Sequence, residues 1–297
     1  MVIPTYNQAA LLRKALQSVL EQSFTDWEAV IINNYSEDDT EEVVKSFAEP
    51  RFNLVAFRNR GIIAASRNRG IELATGEWIA FLDSDDLWRP EKLSACLSWA
   101  RMQPGADLIS HREATFRGDQ VLSISPHFRT EQANYRNLLF NGTCFSPSAT
   151  LIRKSKLREI GGFSEDPQLT TCEDYDLWLR LAAAGAGVGF INKVLSDYRL
   201  HSSNNSGSVL RHMDAGLYAV DRHYLAIKQT QPLDGLRLKR RRAKIIYSAA
   251  RNFHKAGRLS EARQHYFRSL REFPFGTKAV AGLLMVLVGF KSRDQNG

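Results

Sequence analysis

Three carboxylates, Asp83, Asp85 and Asp86, fall within four residues at the end of the apolar run Trp78-Ile79-Ala80-Phe81-Leu82. Like charges this close repel one another and hold their protons unless a cation neutralises them. Mg2+ or Mn2+ does this with one or two carboxylates, and fills its remaining positions with water and phosphate oxygens. The alternative is an acidic cap on the helix that Pro90 starts. Farther on, Glu173-Asp174 opens an amphipathic segment carrying Leu177, Leu179, Leu181 and Ala184. There a carboxylate can take a proton from a reacting hydroxyl, or cap the helix and oppose its dipole, as Asp176 is read to do. Arg67 follows Ala64, Ala65 and Ser66, small residues that permit close backbone approach, and its guanidinium can pair with phosphate or base edges. His201 follows a strand-like run over 188–200 and can complete a metal shell, donate to a diphosphate, or be structural.

These groups need a scaffold that brings them together. The run ending at Asp83 reads as a short buried strand, and a second, Trp27-Glu28-Ala29-Val30-Ile31-Ile32, breaks into polar residues at Asn33. At the start, Val2-Ile3 leads into Pro4-Thr5-Tyr6-Asn7 and then a helix with Leu11, Leu12, Leu16, Val19 and Leu20 on one face. Three parallel strand ends, near Pro4, Asn33 and Asp83, each followed by a helix, make the pattern of a nucleotide-binding α/β sheet. No Gly-rich phosphate loop of either common type is present, so phosphate handling falls to a metal and to cationic side chains.

Taken in order, Val2-Ile3-Pro4-Thr5-Tyr6-Asn7, the strand end at Asn33, Ala65-Ser66-Arg67-Asn68 and Phe81-Leu82-Asp83-Ser84-Asp85-Asp86 resemble successive motifs of the family-two inverting glycosyltransferases of bacterial surface-polysaccharide type. So do Gly161-Gly162-Phe163, Glu173 to Arg180, and Tyr198-Arg199-Leu200-His201 with Asn204 and Ser206. The resemblance implies a GT-A fold, α/β around a central mixed sheet, that binds a nucleotide-diphospho-sugar and a divalent cation. It implies Asp174 as the base that deprotonates the acceptor hydroxyl. Asp85, Asp86 and His201 are the expected metal ligands, and Pro4, Thr5, Tyr6, Asn33, Arg67, Asp83 and Ser84 the expected nucleotide contacts. Asn33 departs from the family's usual aspartate, whose carboxylate accepts from the imino N–H of the base. An amide oxygen can accept that bond without the charge, and the amide can also donate. UDP or dTDP is the favoured donor nucleotide, with GDP possible. The implied acceptor is a glycan or lipid-linked sugar in polysaccharide or glycolipid assembly. Two other functions compete, a catalytically silent scaffold on the same fold and a nucleotidyltransferase. Retention of both the acidic cluster and Asp174 weighs against the first, and the missing phosphate loop against the second.

A chain of 297 residues with 43% apolar content suits one large domain with an appendage. Three cysteines, Cys96, Cys144 and Cys172, lack metal-site spacing and point to a reduced, cytoplasmic setting. No signal peptide precedes Pro4. Only Met1, Val2 and Ile3 stand before that proline, which suggests a first strand shortened at its start. The boundary is expected near residue 205. Residues 1–205 carry a balance of −4, and residues 206–297 one of +12, within a total of +8. The segment 237–244 concentrates the basic residues, and nucleic acid is not expected as its partner because no groove-reading motif accompanies it. Residues 243–276 resemble one tetratricopeptide unit, with Phe253, Gly257, Ala262, Tyr266 and Pro274 at fitting spacing, and read as a helical hairpin. The apolar run 279–290 between Lys278 and Lys291 is too short to cross a bilayer. It is expected either to lie on an acidic membrane surface or to close the hairpin's core.

Overall fold

The computed structural model describes residues 1–142, 145–200, 208–227 and 229–290, which form two compact units. The first comprises Met1–Tyr135, Thr143–Pro167 and Glu173–Asn204; the second comprises Arg136–Gly142, Gln168–Cys172 and Asn205–Gly297.

The first unit opens with β1 (Val2–Thr5), α1 (Ala9–Leu20), β2 (Ala29–Asn33), α2 (Thr40–Ser46), β3 (Phe52–Ala56) and α3 (Ile63–Leu73). Strands β1, β2 and β3 pair in parallel, with Pro4 opposite Ile32 and Thr5 opposite Asn33. Helix α1 turns Leu12, Leu16 and Val19 onto Ile3 and Ile31, as its spacing requires. Next come β4 (Trp78–Ala80), β5 (Leu87–Trp88), α4 (Lys92–Met102), β6 (Leu108–Arg117) and β7 (Gln120–Ile124). They are followed by β8 (Thr150–Arg153), α6 (Lys154–Glu159), α7 (Glu173–Ala183) and β9 (Val188–Arg199). A second, mixed sheet has the order β4-β8-β6-β9-β5, with β7 on β6 and the β6–β9 pair parallel. A parallel bridge from Val2 to Phe81 and the Leu82 N–H bond to Val2 O (3.1 Å) join the two sheets, so the acidic run starts beside the end of β1. Helix α3 lies against the same strand. A Cβ on Gly70 would stand 2.3 Å from a Val2 methyl, so only glycine allows that approach, and Arg67 sits one turn earlier on the same face.

The second unit contains α5 (Tyr135–Asn141, all but its first residue), α8 (Val209–Leu225), α9 (Asp234–Lys255), α10 (Leu259–Glu272) and α11 (Thr277–Leu287). Helices α9 and α10 form the hairpin, turning at Gly257 with φ +73°. Phe253, Ala262 and Tyr266 fill its core together with Ala279, Leu283 and Val286 of α11. Gly282 meets the Tyr266 ring, where an added Cβ would lie 2.4 Å away. The other face of α11 is bare, with Val280, Leu284 and Leu287 41–59% exposed and Val288 80% exposed. No helix of the described residues is long and apolar enough to cross a membrane.

Candidate functional site

The acidic run leaves β4 as a tight turn in which the Asp86 N–H donates to Asp83 O (3.0 Å). A buried serine sets its shape. Ser148 Oγ accepts from the Asp83 N–H (3.1 Å) and donates to Asp86 Oδ2 (2.6 Å), while Asp86 Oδ1 accepts from the Arg199 N–H (3.1 Å). Trp88 Nε1 and Lys92 Nζ in turn donate to the carbonyls of Ser148 (2.8 Å) and Thr150 (3.1 Å), which fixes the segment carrying the serine. Asp86, expected as a cation ligand, is thereby held by the protein on both sides. Its carboxylate faces inward, 1% exposed, with both oxygens engaged by the protein. Burial, then the neighbouring Glu113, Asp85 and Asp83, push its pKa well above the usual carboxylate range. Asp85 and Asp83 are less buried than Asp86.

Arg67 also differs from expectation. It is 3% exposed and forks between two carboxylates, with Nη2 2.7 Å from Asp83 Oδ1 and Nη1 2.7 Å from Glu173 Oε1. Its guanidinium lies over the Phe163 ring, 5.3 Å from the centroid. That ring is held by Asn68, which accepts from the Phe163 N–H (2.8 Å) and donates to its carbonyl (2.9 Å). Both terminal nitrogens of the guanidinium face protein carboxylates, so Arg67 joins the acidic run to the start of α7. Arg67 Nε, Glu173 Oε2 and Thr5 Oγ1 are buried without a hydrogen-bond partner among the described residues. Such orphaned groups call for a ligand or water to satisfy them.

Helix α7 is pinned by the buried Leu177, Trp178 and Leu181, and Asp176 pairs with Arg180 (2.7 Å) as a first-turn acid should. Asp174 Oδ1 accepts from the Tyr175 N–H (2.7 Å). Removal from water and then Glu173 push the Asp174 pKa up while Arg67 pulls it down, and the balance lies at about 7. A carboxylate poised there is matched to general-base work near neutral pH.

At the other strand ends, Asn33 is 1% exposed and its Oδ1 accepts from the Ser36 N–H (2.9 Å). Its amide oxygen shapes the turn with one of its two lone pairs, and the other can still accept. Ser84 is likewise buried, donating to Gln8 Oε1 (2.5 Å) as a brace. Pro4 and Thr5 are buried within β1, and Tyr6 stands 53% exposed. His201, with Asn204 and Ser206, lies outside the described residues.

Three participants were not singled out from the sequence: Ser148, Glu173 as the partner of Arg67, and Glu113. Glu113 Oε1 accepts from Ser146 Oγ and Ser196 Oγ, each at 2.9 Å, and burial raises its pKa to about 7. The only signal for it was a lone acid in an otherwise strand-like run.

The donor set fits a cation that arrives with a diphosphate better than a closed metal cage. Among the described residues no three His, Cys, Asp or Glu side chains are grouped to hold an ion. One or two carboxylates, here Asp85 and Asp83, are what Mg2+ or Mn2+ needs when phosphate and water supply the rest.

Residues 1–161 match the model of glycosyl transferase family 2. TuaG of Bacillus subtilis (strain 168), named for teichuronic acid biosynthesis, is 27% identical over 210 residues, covering 70% of this chain and 81% of the relative. The amylovoran biosynthesis glycosyltransferase AmsB of Erwinia amylovora is 29% identical over 209 residues, covering 67% of this chain and 69% of AmsB. Among solved structures, S. aureus TarS 1–349 in complex with UDP-GlcNAc superposes with a TM-score of 0.64 at 15% identity, over 98% of this chain and 92% of TarS. The mannosyltransferase PcManGT of Pyrobaculum calidifontis, in complex with GDP-Man and Mn2+, gives a TM-score of 0.59 at 18% identity, over 96% and 86%. Identities this low speak to the fold alone, which is the GT-A arrangement of two joined sheets. With more than half of its length matched, the chain belongs to glycosyl transferase family 2.

Proposed function

We propose that this glycosyltransferase moves a sugar, with inversion, from a nucleotide-diphospho-sugar to an acceptor hydroxyl in cell-surface polysaccharide or glycolipid assembly. The observation that carries the reading is the Asp83–Arg67–Glu173 bridge, which ties a donor-side carboxylate to the residue beside a base of pKa about 7.

Asp174 takes the proton of the acceptor hydroxyl, whose oxygen bonds to the anomeric carbon from the face opposite the departing diphosphate. Asp85 and the Asp83 oxygen that Arg67 does not hold would bind Mg2+ or Mn2+, as Mn2+ accompanies GDP-Man in PcManGT. When bound, the cation neutralises the charge that builds on the leaving diphosphate. Arg67 keeps Asp83 and Glu173 at fixed spacing, and Ser148 holds the acidic turn. The nucleotide is UDP or dTDP by resemblance; UDP and GDP sugars both occur in the solved relatives.

Catalysis is assigned to residues 1–205, and residues 206–297 to docking at an acidic membrane surface on the cytoplasmic side, where lipid-linked acceptors are met. Supporting this, the bare ridge of α11 starts at Lys278, and Lys278 joins Arg240 and Arg241 in lowering the Lys244 pKa after burial, which marks them as one basic cluster.

The test is a panel of nucleotide sugars scored by released nucleoside diphosphate, with and without chelator. Turnover that survives exhaustive chelation removes the cation, and release of pyrophosphate would point to nucleotidyl transfer instead.

A further inference from the structure

Three residues other than glycine adopt left-handed backbone in the loops that follow the parallel strands: Asn7 (φ +49°) after β1, Tyr35 (φ +54°) after β2 and Arg60 (φ +54°) after β3. Asparagine tolerates this conformation through its short polar side chain. A tyrosine does not, and it gains nothing from burial here, because its side chain is 52% exposed. The guanidinium of Arg58 lies over the Tyr35 ring, 5.0 Å from the centroid. An aromatic residue held in strained backbone, on the surface, with a cation stacked on it, is the kind of outlier that clusters at ligand sites.

The loops are stitched to one another around it. The Asn34 N–H donates to Thr5 O (3.0 Å), the Asn7 N–H to Ser36 Oγ (2.9 Å), the Glu37 N–H to Asn7 Oδ1 (2.8 Å) and the Asn59 N–H to Asn34 Oδ1 (2.9 Å). Tyr6, Tyr35 and Arg58 are each flanked by these bonds, so three exposed planar groups stand on one cross-braced rim. Toward the acidic run, Gln8 continues the bracing to Ser84. From β3 through β2 and β1 to the acidic turn, the rim therefore passes from planar, stacking groups to carboxylates. A nucleoside diphosphate has the same polarity, a flat base at one end and a cation-binding diphosphate at the other.

We infer that Tyr35, backed by Arg58, is a stacking wall for the nucleobase of the donor. The inference rests on the donor reading above and deepens it. With Asn33 turned inward and one lone pair of its amide oxygen engaged, the exposed rim adds π-stacking and the guanidinium edge to what holds the base. Tyr35 is then a specificity and affinity residue that touches the ligand, and its strain is maintained by the stitched loops.

The experiment measures binding of UDP, GDP and inorganic pyrophosphate, each with Mn2+, by calorimetry on the full chain, together with thermal unfolding. Tyr35→Gly suits the left-handed backbone, so the midpoint of unfolding should hold or rise. The same variant should weaken the tighter-binding nucleotide by roughly tenfold, as loss of a base–aromatic stack does, and leave pyrophosphate unchanged. Tyr35→Phe should retain wild-type affinity, and Arg58→Ala should weaken nucleotide but not pyrophosphate. Nucleotide binding by Tyr35→Gly equal to wild type would overturn the wall, and so would parallel loss of nucleotide and pyrophosphate. If the wild-type chain binds neither nucleotide better than pyrophosphate, the donor reading itself fails and the wall falls with it.

Discussion

Arg67 Nη1 stands 2.7 Å from Glu173 Oε1, joining helices α3 and α7 across 106 residues of sequence. The same guanidinium holds Asp83 at 2.7 Å, and neither Arg67 nor Glu173 has appreciable exposure. A buried charge stripped of its partner is costly even where the intact pair adds little. Arg67→Ala should therefore lower folding stability by about 3–5 kcal/mol, read by denaturant unfolding. Arg67→Lys keeps the charge but cannot span both carboxylates, and should fold while losing turnover. A lysine variant with wild-type turnover would mean that the bridge is only structural.

Asp174→Asn keeps the shape of the residue but removes the proton acceptor. Turnover should fall by about 10²–10⁴ while nucleotide binding persists. Calorimetry and single-turnover assays separate the two quantities. Loss of the fold, or retention of most of the rate, would leave Asp174 as a helix cap.

The pH dependence has a definite sign. Asp174 acts when ionised, and its pKa is raised from 3.8 to about 7, so kcat/KM should climb through an apparent pKa near 7. Glu113 also lies near 7, so that limb belongs to a coupled set unless Asp174→Asn abolishes it. For stability the direction is opposite. The folded chain keeps a proton that the unfolded chain gives up above 3.8, so this contribution is present at low pH and lost as pH rises through about 7. Asp174→Asn should accordingly be more stable than wild type at pH 8 and no more stable at pH 4.

The carboxylates of the acidic turn should separate by function. Asp85→Asn should raise the cation concentration needed for half-maximal nucleotide binding, whereas Asp86→Asn should leave it near wild type, because Asp86 already faces Ser148 and Arg199. Ser148→Ala removes the support of the turn and should weaken the cation response by roughly 10–100-fold. Manganese titration of nucleotide binding reads all three, and equal responses in Asp85→Asn and Asp86→Asn would count against this division.

On α11, Leu284→Glu with Leu287→Glu alters only the bare face. Vesicles rich in acidic lipid should float the wild-type protein at low salt and not the variant, with equal thermal midpoints. Flotation of both would place membrane contact elsewhere.

The three strand ends and the acidic run were legible because they depend on local pattern, apolar runs that stop abruptly in polar residues. Asp174 was legible for the same reason, as an acid opening an amphipathic helix. The inward turn of Asp86 was not, since it depends on Ser148, 62 residues away, and on the Arg199 N–H, 113 residues away. Arg67 was read as free to meet phosphate because neither of its carboxylate partners is near it in sequence. For α11, the periodicity permitted both a packed and a surface helix, and the structure has one face of each kind.

The family match ends at residue 161, twelve residues before the acid that completes the Arg67 bridge. On a ribosome adding about 5–20 residues per second, Arg67 emerges roughly 5–20 s before Glu173. Until Glu173 follows, Asp83 is the one carboxylate of the pair that its guanidinium can meet. An arrested or clipped chain ending near the match boundary would therefore keep Arg67 and Asp83 but lose the second half of the fork, and with it the pairing that offsets the burial of the guanidinium.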